Sequence, residues 1–562
     1  MQSTRVVRTW WTPAVLALSI VGAIPQVSRA DGQEPTGTRF AVATESEQAT
    51  QAAMQTLRDG GHAVDAAISA ALVLGVVNPT SSGIGGGGFA LVWDNKASEP
   101  VVLDFRETAP RGIEPKSLDT RPVPEAKRGV LVGVPGEVAG LSEMHRRWGR
   151  KTFAADARAA IRSAEQGFVL ERHMARTLSS ELDTLSRSGP IASLFYPHGS
   201  PLSAGARVRN PKLAATLRGI ATRGPSAFYA GPVAADIVSA VQQLGGSLDQ
   251  QDLTSYTVVE RKTLHVRWDS YDIHTMPPPS AGGLLLAQTL LMHDKRSMTQ
   301  MGDGTPELVH VMAETFRGSI ADRVRAVGDP RDTNVPMGTM LSASHLKKRR
   351  ERIESNRSHA PQNFDLPEHG TTHLVVVDQQ RNVVSLTTTV NRAFGSKIVA
   401  PSSGVVLNDE LDDFTPPSLL PSFGVQGVGP NAPRAGARPV SSMSPTIVFR
   451  DGKPYLALGG SGGMMIAPNV TQATTRVLAF DASARDAVSS PRFSIGVRST
   501  ELVVEPGWLG EREVRDLSAR GELIQTSSFP AAVQLIRMQL GPKADGMQAA
   551  GDPRKFGVGA VE

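Results

Sequence analysis

A glycine-rich stretch in the last fifth of the chain has the pattern of a serine nucleophile. Residues 459–463, GGSGG, fit G-x-S-x-G, in which a sharp strand-to-helix turn exposes the serine hydroxyl, here that of Ser461. That arrangement needs an acid and then a histidine further along the chain. All twelve histidines, however, lie at or before His373. Ser461 therefore lacks a base, and we interpret the glycines as positions where the backbone closely approaches a ligand.

A nucleophile that carries its own base is a second possibility, in HGTTHLVVVD at residues 369–378. An alpha-amino group has a pKa of about 7.7 to 8.0, so a chain-terminal threonine can use its own amine as general base. This requires cleavage of the preceding bond. Gly370–Thr371 suits cleavage, because glycine leaves its carbonyl open to the threonine hydroxyl and residues 355–368 have the composition of an exposed linker. Paired threonines are also common at strand starts, so Thr371 and Thr372 alone decide nothing.

Charged residues elsewhere indicate an amino-acid-like substrate. Arg106 follows a strand pattern in DFRETAP, and LNDELDDF at 407–414 contains four acids in eight residues. A guanidinium in one place and carboxylates in another would bind the two charged ends of a zwitterion. The acids could also bind calcium by composition, but the segment lacks the ligand spacing and central glycine of an EF-hand.

Hydrophobic periodicity predicts the elements that must position these residues. Residues 46–58 form an amphipathic helix pattern stopped by two glycines, and 62–77 form an alanine-rich, buried one. HLVVVD and VVSLTTTV are typical of two strands joined by a turn, and TIVFR and YLALGG repeat the pattern around Asp451-Gly452. Strands before and after a block of helices predict stacked sheets with helices outside them.

Composition favours a soluble exported protein. Residues 1–30 carry three arginines, no acid, an apolar run and a final SRA, which is the pattern of a secretory signal peptide cleaved after Ala30. The alternative is an uncleaved membrane anchor, but the run is shorter than the ~20 residues of a bilayer span. We therefore expect a periplasmic or secreted protein with no membrane span after cleavage.

Charge and cysteine content exclude other classes of function. Without residues 1–30 the chain has 56 basic and 54 acidic residues, and LKKRRER at 346–352 has no interleaved aromatics. We interpret that run as a solvated helix face and expect no nucleic-acid partner. With no cysteine, disulfides, thiolate nucleophiles and thiolate metal sites are impossible.

Long segments around these residues resemble gamma-glutamyltranspeptidases, which are N-terminal nucleophile hydrolases with a four-layer αββα core. The similarity covers nearly all of residues 38–558. It rests on GGHAVDAAISAALVLGVVNPTSSGIGGGGF, DFRETAP, TTHLVVVD, FGSKIVAPSSGVVLNDELDDF, RPVSSMSP, GGSGG and GDPR. The resemblance implies an α+β fold in which 31–370 and 371–562, the large and small subunit segments, form one catalytic unit and, after cleavage, a heterodimer.

The resemblance also implies a role for each matching residue. Thr371 would cut the precursor after Gly370 and then carry the gamma-glutamyl group of glutathione or a related amide, until water or an amino-acid amine resolves the acyl-enzyme. No cofactor or metal is implied. The other site residues would be Thr389, orienting the nucleophile; Gly462 and Gly463, forming the oxyanion hole through their N–H groups; Arg106, Ser441 and Ser442, binding the substrate alpha-carboxylate; and Asn391, Glu410 and Asp413, binding its alpha-amino group.

Some positions depart from the family's pattern, and two other functions remain open. The departures are Phe423 in the segment that resembles the lid loop, Arg392 and Ala393 after Asn391, and Met464 and Met465 after the oxyanion glycines. One other function is a glutaryl or cephalosporin-type acylase of the same fold. It is disfavoured because a glutaryl group lacks the alpha-amino group that Glu410 and Asp413 would hold. The second is an unprocessed, inactive binding homologue.

Overall fold

A computed structural model describes residues 36–359, 370–423, 427–496, 500–528 and 531–562. The predicted signal peptide and most of the predicted linker, residues 360–368, lie outside these ranges. From residue 36 onward the described chain forms one compact unit. None of its helices combines the length and apolar character needed to cross a bilayer.

Most strands of the described chain are short. In chain order they are β1 (Thr36–Gly37), β2 (Ala41–Thr44), β3 (Gly87–Trp93), β4 (Val101–Phe105), β5 (Phe168–Val169), β6 (Arg207–Val208), β7 (Val259–Lys262), β8 (Leu264–Trp268), β9 (Tyr271–Thr275), β10 (Thr371–Val377), β11 (Val383–Thr389), β12 (Thr446–Arg450), β13 (Lys453–Ser461), β14 (Phe493–Ile495), β15 (Glu501–Val504), β16 (Leu523–Thr526), β17 (Ala532–Leu540), β18 (Gly546–Ala550) and β19 (Val558–Val561).

Helices fill the long interval between β4 and β10 and flank the later strands. They are α1 (Glu47–Arg58), α2 (Ala63–Val77), α3 (Glu137–Trp148), α4 (Phe153–Asp156), α5 (Arg158–Gln166), α6 (Arg172–Ser180), α7 (Leu182–Leu185), α8 (Gly189–Phe195), α9 (Pro211–Arg223), α10 (Ser226–Tyr229), α11 (Gly231–Gln242), α12 (Gln250–Thr254), α13 (Gly282–Met292), α14 (Lys295–Met301), α15 (Pro306–Ala326), α16 (Met337–Met340), α17 (Ala343–Arg350), α18 (Ile466–Phe480), α19 (Ala484–Ser489) and α20 (Glu511–Ala519).

Two antiparallel seven-stranded sheets form the centre of the molecule. Sheet I has the order β1-β18-β17-β13-β12-β9-β8, and sheet II has the order β19-β2-β10-β11-β3-β4-β7. Strands β10 and β11 of sheet II face β13 of sheet I, while α2 packs on the outside of sheet II and α18 on the outside of sheet I. The layers are therefore helix, sheet, sheet, helix, and the predicted αββα α+β fold is confirmed.

Alternation along β10 joins two separate cores. Leu374 and Val376 are fully buried with the α1–α2 layer, whereas Val375 and Val377 are fully buried between the two sheets. Successive side chains of a strand point to opposite faces. Thr371, an even number of residues before Val375, therefore projects toward the space between the sheets.

The predicted helices and hairpins are confirmed, and their ends have local causes. The Ser46 hydroxyl caps α1, and Asp65 accepts the backbone N–H of His62 (2.7 Å) in a capping box that starts α2. Asp451 and Gly452 both have positive φ (53° and 71°), as a tight two-residue turn between β12 and β13 requires.

The basic run at 346–352 lies mainly at the end of α17. Leu346 is buried, while Lys347, Lys348 and Arg350 are exposed. The guanidinium of Arg349 pairs with Asp322. The predicted solvated helix face is confirmed, with one arginine turned back onto the protein.

Buried carboxyl groups make the stability of this fold depend on pH. Glu137, the first residue of α3, is 2% exposed and accepts a hydrogen bond from the Thr388 hydroxyl (2.7 Å). Burial raises the pKa of Glu137 to about 8. In the unfolded chain this carboxyl ionises near its ordinary value of about 4.3. The folded protein therefore loses stability as the pH rises between these two values, by up to about 1.4 kcal/mol per pH unit.

We therefore expect Glu137→Gln to raise the melting temperature at about pH 7.5 and to change it little at about pH 4, because glutamine never ionises. Glu143→Gln on the same helix is the matched control, since hydrogen bonds from Arg146 and Arg147 lower the pKa of Glu143 to about 2. That variant should gain nothing at pH 7.5. Thermal unfolding of both variants at the two pH values is the measurement, and a pH-independent effect of Glu137→Gln would contradict the prediction.

Candidate active site

Two buried threonine hydroxyls face each other at the ends of two neighbouring central strands. Thr371 begins β10 and is paired in register with Thr389 at the end of β11, with 3.2 Å between the two hydroxyl oxygens. The Thr389 hydroxyl accepts the N–H of Asn391 (2.8 Å) and donates to the carbonyl of Gly370 (2.8 Å). Thr389 thus contacts both the predicted nucleophile and the carbonyl of the bond that this nucleophile would attack.

Gly370 has a conformation that favours glycine. Its φ is +133°, and an added Cβ would lie 2.4 Å from the carbonyl oxygen of Asn391. A side chain would be strained by the backbone and would collide with the loop after β11. The peptide before Thr371 is therefore held against that loop with its carbonyl on Thr389.

The GGSGG stretch forms a sharp turn, but its serine is not exposed. Strand β13 ends at Ser461, and Gly462 (φ +115°) and Gly463 (φ +62°) turn the chain toward α18. Ser461 is fully buried, and its hydroxyl accepts a hydrogen bond from Lys555 Nζ (2.6 Å). The same ammonium donates to the Thr371 carbonyl (3.0 Å), so this turn lies beside the start of β10.

The charged residues that are predicted to bind the substrate contact one another directly. Arg106 is 1% exposed, and its guanidinium pairs with Glu410 and, at 2.5 Å, with Asp413. Its Nε donates to the carbonyl of Pro439 (2.8 Å). The sequence predicted the arginine and the acids at opposite ends of a substrate. The structure instead brings all three into one buried cluster beside the 438–445 segment.

The two predicted serines lie on that segment. Ser442 accepts a hydrogen bond from the guanidinium of Arg323 on α15, and Ser441 accepts the backbone N–H of Met443 (3.0 Å). Asn391 has a positive φ of 73° and donates through its side chain to the carbonyl of Asp409 (3.2 Å). This contact ties the loop after Thr389 to the acidic segment.

Arg392 connects the remaining acids to a cavity. Its guanidinium pairs with Asp412, and its backbone N–H donates to the Asp409 carboxylate (3.0 Å). Arg121 also pairs with Asp412, at 2.8 Å. Burial raises the pKa of Asp409 to about 7. The cavity of about 610 Å³ beside these groups is lined by Arg121, Arg128, Arg392, Lys397, Asp409 and Asp412.

The other departures lie around the same site. Ala393, Met464 and Met465 are each partly exposed, the two methionines in the short turn at Gly463–Met465. The side chain of Phe423 lies outside the described residues.

Sequence reasoning missed three residues that hold this site together. Arg323 binds the Ser442 hydroxyl, Lys555 binds Thr371 and Ser461, and Asn408 accepts the N–H of Glu410 (3.1 Å) while donating to the carbonyls of Gly85 and Gly133. The closing GDPR motif next to Lys555 was a usable signal. Nothing in the local pattern marked Arg323.

One group of possible metal ligands lies among the described residues. Ligand atoms of Asp65, His145 and Asp156 are within 4.8 Å of one another. Asp65, however, already accepts backbone N–H groups of His62 (2.7 Å) and Arg150 (3.0 Å), and burial raises the pKa of Asp156 to about 8. The arrangement is that of a helix cap beside a protonated carboxyl, and we assign it no metal.

The αββα sandwich with a threonine at the start of a central strand belongs to the N-terminal nucleophile hydrolase fold. A cephalosporin acylase from Bacillus halodurans shares that fold, with a TM-score of 0.85 over 96% of this chain and 98% of the acylase at 24% identity. The family model for gamma-glutamyltranspeptidase matches residues 49–561. The chain belongs to the gamma-glutamyltranspeptidase family.

Relatives in that family cover most of the chain. Glutathione hydrolase 3 of Arabidopsis thaliana is 36% identical over 463 residues, which is 80% of this chain and 72% of the relative. The glutathione hydrolase proenzyme of Bacillus subtilis is 34% identical over 525 residues, which is 86% of this chain and 87% of the relative.

Arg106 should be necessary for the stability of the site. In Arg106→Met the carboxylates of Glu410 and Asp413 remain buried without their cation, which typically costs about 3 to 5 kcal/mol. We expect a large fall in melting temperature, measured by thermal unfolding. Arg515→Met, which breaks an exposed pair with Glu511, is the control and should have little effect. Equal melting temperatures for the two variants would show that the Arg106 cluster is not needed for stability.

Proposed function

We propose that this protein is an exported, self-processing gamma-glutamyl hydrolase and transferase in which Thr371 is the nucleophile. The observation that carries the proposal is the contact of the Thr389 hydroxyl with both the Thr371 hydroxyl and the Gly370 carbonyl. Membership of the family supports glutathione and related gamma-glutamyl amides as substrates.

This geometry supports self-processing. The Thr371 hydroxyl attacks the carbonyl carbon of Gly370, and the Thr389 hydroxyl donates to the oxygen on which negative charge develops. The Gly370 acyl group moves from nitrogen to oxygen, which frees the Thr371 amine. Water then hydrolyses the ester and releases the Gly370 carboxylate. The fragments would be residues 31–370 and 371–562, once the signal peptide of residues 1–30 has been removed during export.

The freed amine serves as the base in turnover. It takes the proton of the Thr371 hydroxyl as the oxygen attacks the gamma-carbonyl of the substrate, and it returns a proton to the leaving amine. The N–H groups of Gly462 and Gly463 stabilise the tetrahedral oxyanion, each contribution being worth about 2.7 to 4 kcal/mol. Water, or the amine of an acceptor amino acid, then attacks the acyl-enzyme.

Buried charges support recognition of the glutamyl alpha-carbon groups. Arg106 with Ser441 and Ser442 would bind the alpha-carboxylate, and Glu410 and Asp413 with Asn391 would bind the alpha-ammonium. Because the arginine and the two acids already touch, a zwitterion would meet both signs of charge within one pocket. A glutaryl group has no ammonium, so it would bring no cation to the two acids. The cephalosporin acylase likeness, at 24% identity, supports the shared fold and not that substrate.

Purified protein should contain two fragments. Electrophoresis and mass spectrometry should find chains that begin at Asp31 and Thr371, and Thr371→Ala should give one uncut chain, because it removes the attacking hydroxyl. Thr371→Ser retains a hydroxyl and is the matched control, expected to be cut. Cleavage of Thr371→Ala would refute Thr371 as the processing nucleophile. A single uncut parent chain would refute self-processing and favour the unprocessed binding homologue.

A paired substrate assay separates the transferase from the acylase. With the same leaving amine, we expect kcat/KM for the gamma-glutamyl amide to exceed that for the glutaryl amide by on the order of 10⁴-fold, because a glutaryl group has no ammonium to donate hydrogen bonds to Glu410, Asp413 and Asn391. Asp413→Asn should reduce this ratio, because only the gamma-glutamyl amide has an ammonium for that carboxylate. If the parent enzyme prefers the glutaryl amide, the protein is an acylase.

A further inference from the structure

Strand β2 stops short of the predicted nucleophile. Its last residue, Thr44, lies opposite Leu374, so the first residues of β10 extend beyond the end of β2. Two side chains continue the pairing there. Glu45 accepts the backbone N–H of His373 (3.2 Å), and Lys555 donates to the carbonyl of Thr371 (3.0 Å). An ion pair thus takes the place of strand backbone beneath the start of β10.

Lys555 reaches this position from the last turn of the described chain, Pro553–Lys555. Asp552 caps that turn by accepting the N–H of Arg554 (3.0 Å). Lys555 is only 4% exposed, and besides Thr371 its ammonium contacts the Ser461 hydroxyl (2.6 Å) and the Glu45 carboxyl (3.4 Å). One buried cation therefore connects Thr371 to the residue that precedes the glycine turn.

Cleavage after Gly370 would make this contact more important. A chain-end Thr371 keeps its peptide bond to Thr372 but loses its bond to Gly370. The hydrogen bond on its carbonyl and its pairing with Thr389 then restrain it. The ammonium binds the carbonyl of the same residue whose nitrogen would become the free amine, so the two nitrogens belong to one local site. A like charge in the same site disfavours the protonated form of an amine, and burial strengthens the effect.

Among the described residues around this end of β10, the other titratable groups are neutral or engaged with other partners. Burial lowers the pKa of His373 on β10 and of His173 on α6 to about 3, so both are neutral. Arg176 stacks over Phe556, and Arg392 pairs with Asp412. Burial raises the pKa of Glu45 while Lys555 lowers it, which weakens the negative charge opposing the ammonium.

We propose that Lys555, supported by Glu45, is a positioning residue for Thr371. It fixes the carbonyl of the chain-end nucleophile beside the Gly462–Gly463 turn, and its charge keeps the Thr371 amine in the neutral form that can accept a proton. This inference rests on the proposed function, since it assigns a role to the amine that cleavage would release.

The double variant Lys555→Met with Glu45→Gln tests the proposal without leaving either charge buried alone. Glutamine at 45 still offers an oxygen to the His373 N–H. With gamma-glutamyl-p-nitroanilide as substrate, the acid limb of kcat/KM reports the pKa of the free amine. We expect this limb to move to higher pH by about one unit, and kcat/KM near pH 7 to fall about tenfold. Thermal unfolding and electrophoresis establish that the variant is folded and cut.

Two single variants provide matched controls. Lys555→Arg keeps the cation and should restore the parent's acid limb. Glu45→Gln keeps the ammonium and removes a negative group, so its acid limb should lie at or below that of the parent. If the double variant is not cut, the Glu45→Gln variant decides. An acid limb at higher pH than the parent's overturns the proposal, whereas an acid limb at or below the parent's pH supports it.

Two results would overturn the inference with the proposed function intact. One is a double variant with the parent's acid limb. The other is a loss of kcat/KM that is equal at every pH, which would indicate a structural role alone. A parent enzyme that is uncut or inactive toward gamma-glutamyl amides would instead remove the proposed function itself.

Discussion

The register of β10 against β11 is the constraint on which the site depends. It places Thr371 opposite Thr389 and sets their hydroxyls 3.2 Å apart. The same alternation buries Val375 between the sheets and Leu374 under the α1–α2 layer. A slip of one residue would turn every side chain of the strand over and point Thr371 toward the helices. The same register therefore determines both the packing of the sandwich and the direction of the Thr371 hydroxyl.

Paired charges around the site are the second organising feature. Arg106 with Glu410 and Asp413, Arg392 with Asp412, and Lys555 with Glu45 all surround the Thr371–Thr389 pair or the segments joined to it. Buried ion pairs seldom add stability over apolar packing, because desolvation offsets their attraction. Their cost is understandable where fixed charges must already be oriented when a charged substrate arrives.

Local patterns predicted the elements, and family resemblance located the site. Ser46 at a helix start and Asp451-Gly452 between strand patterns have short-range causes that can be read from neighbouring residues. The GGSGG motif correctly indicated a strand, a sharp turn and a helix. It could not show that the Ser461 hydroxyl would be bound by Lys555, 94 residues away. Side chains such as Lys555 acquire their partners only when distant segments pack together. Hydrophobic periodicity along the sequence therefore cannot predict these contacts.

The segments on the two sides of the Gly370–Thr371 bond are interleaved within both sheets. In sheet II, β2 lies between β19 and β10, and in sheet I, β1 pairs with β18 and β9 with β12. At the far edge the carbonyl of Glu562 accepts the N–H groups of Arg39 (2.6 Å) and Phe40 (3.2 Å). Residue 562 and the start of the folded chain are thus adjacent. The fold admits a circular permutant that begins at Thr371 and joins residue 562 to residue 36 through a short linker. In such a chain, removal of the initiator methionine would produce the free threonine amine without the proposed internal cleavage.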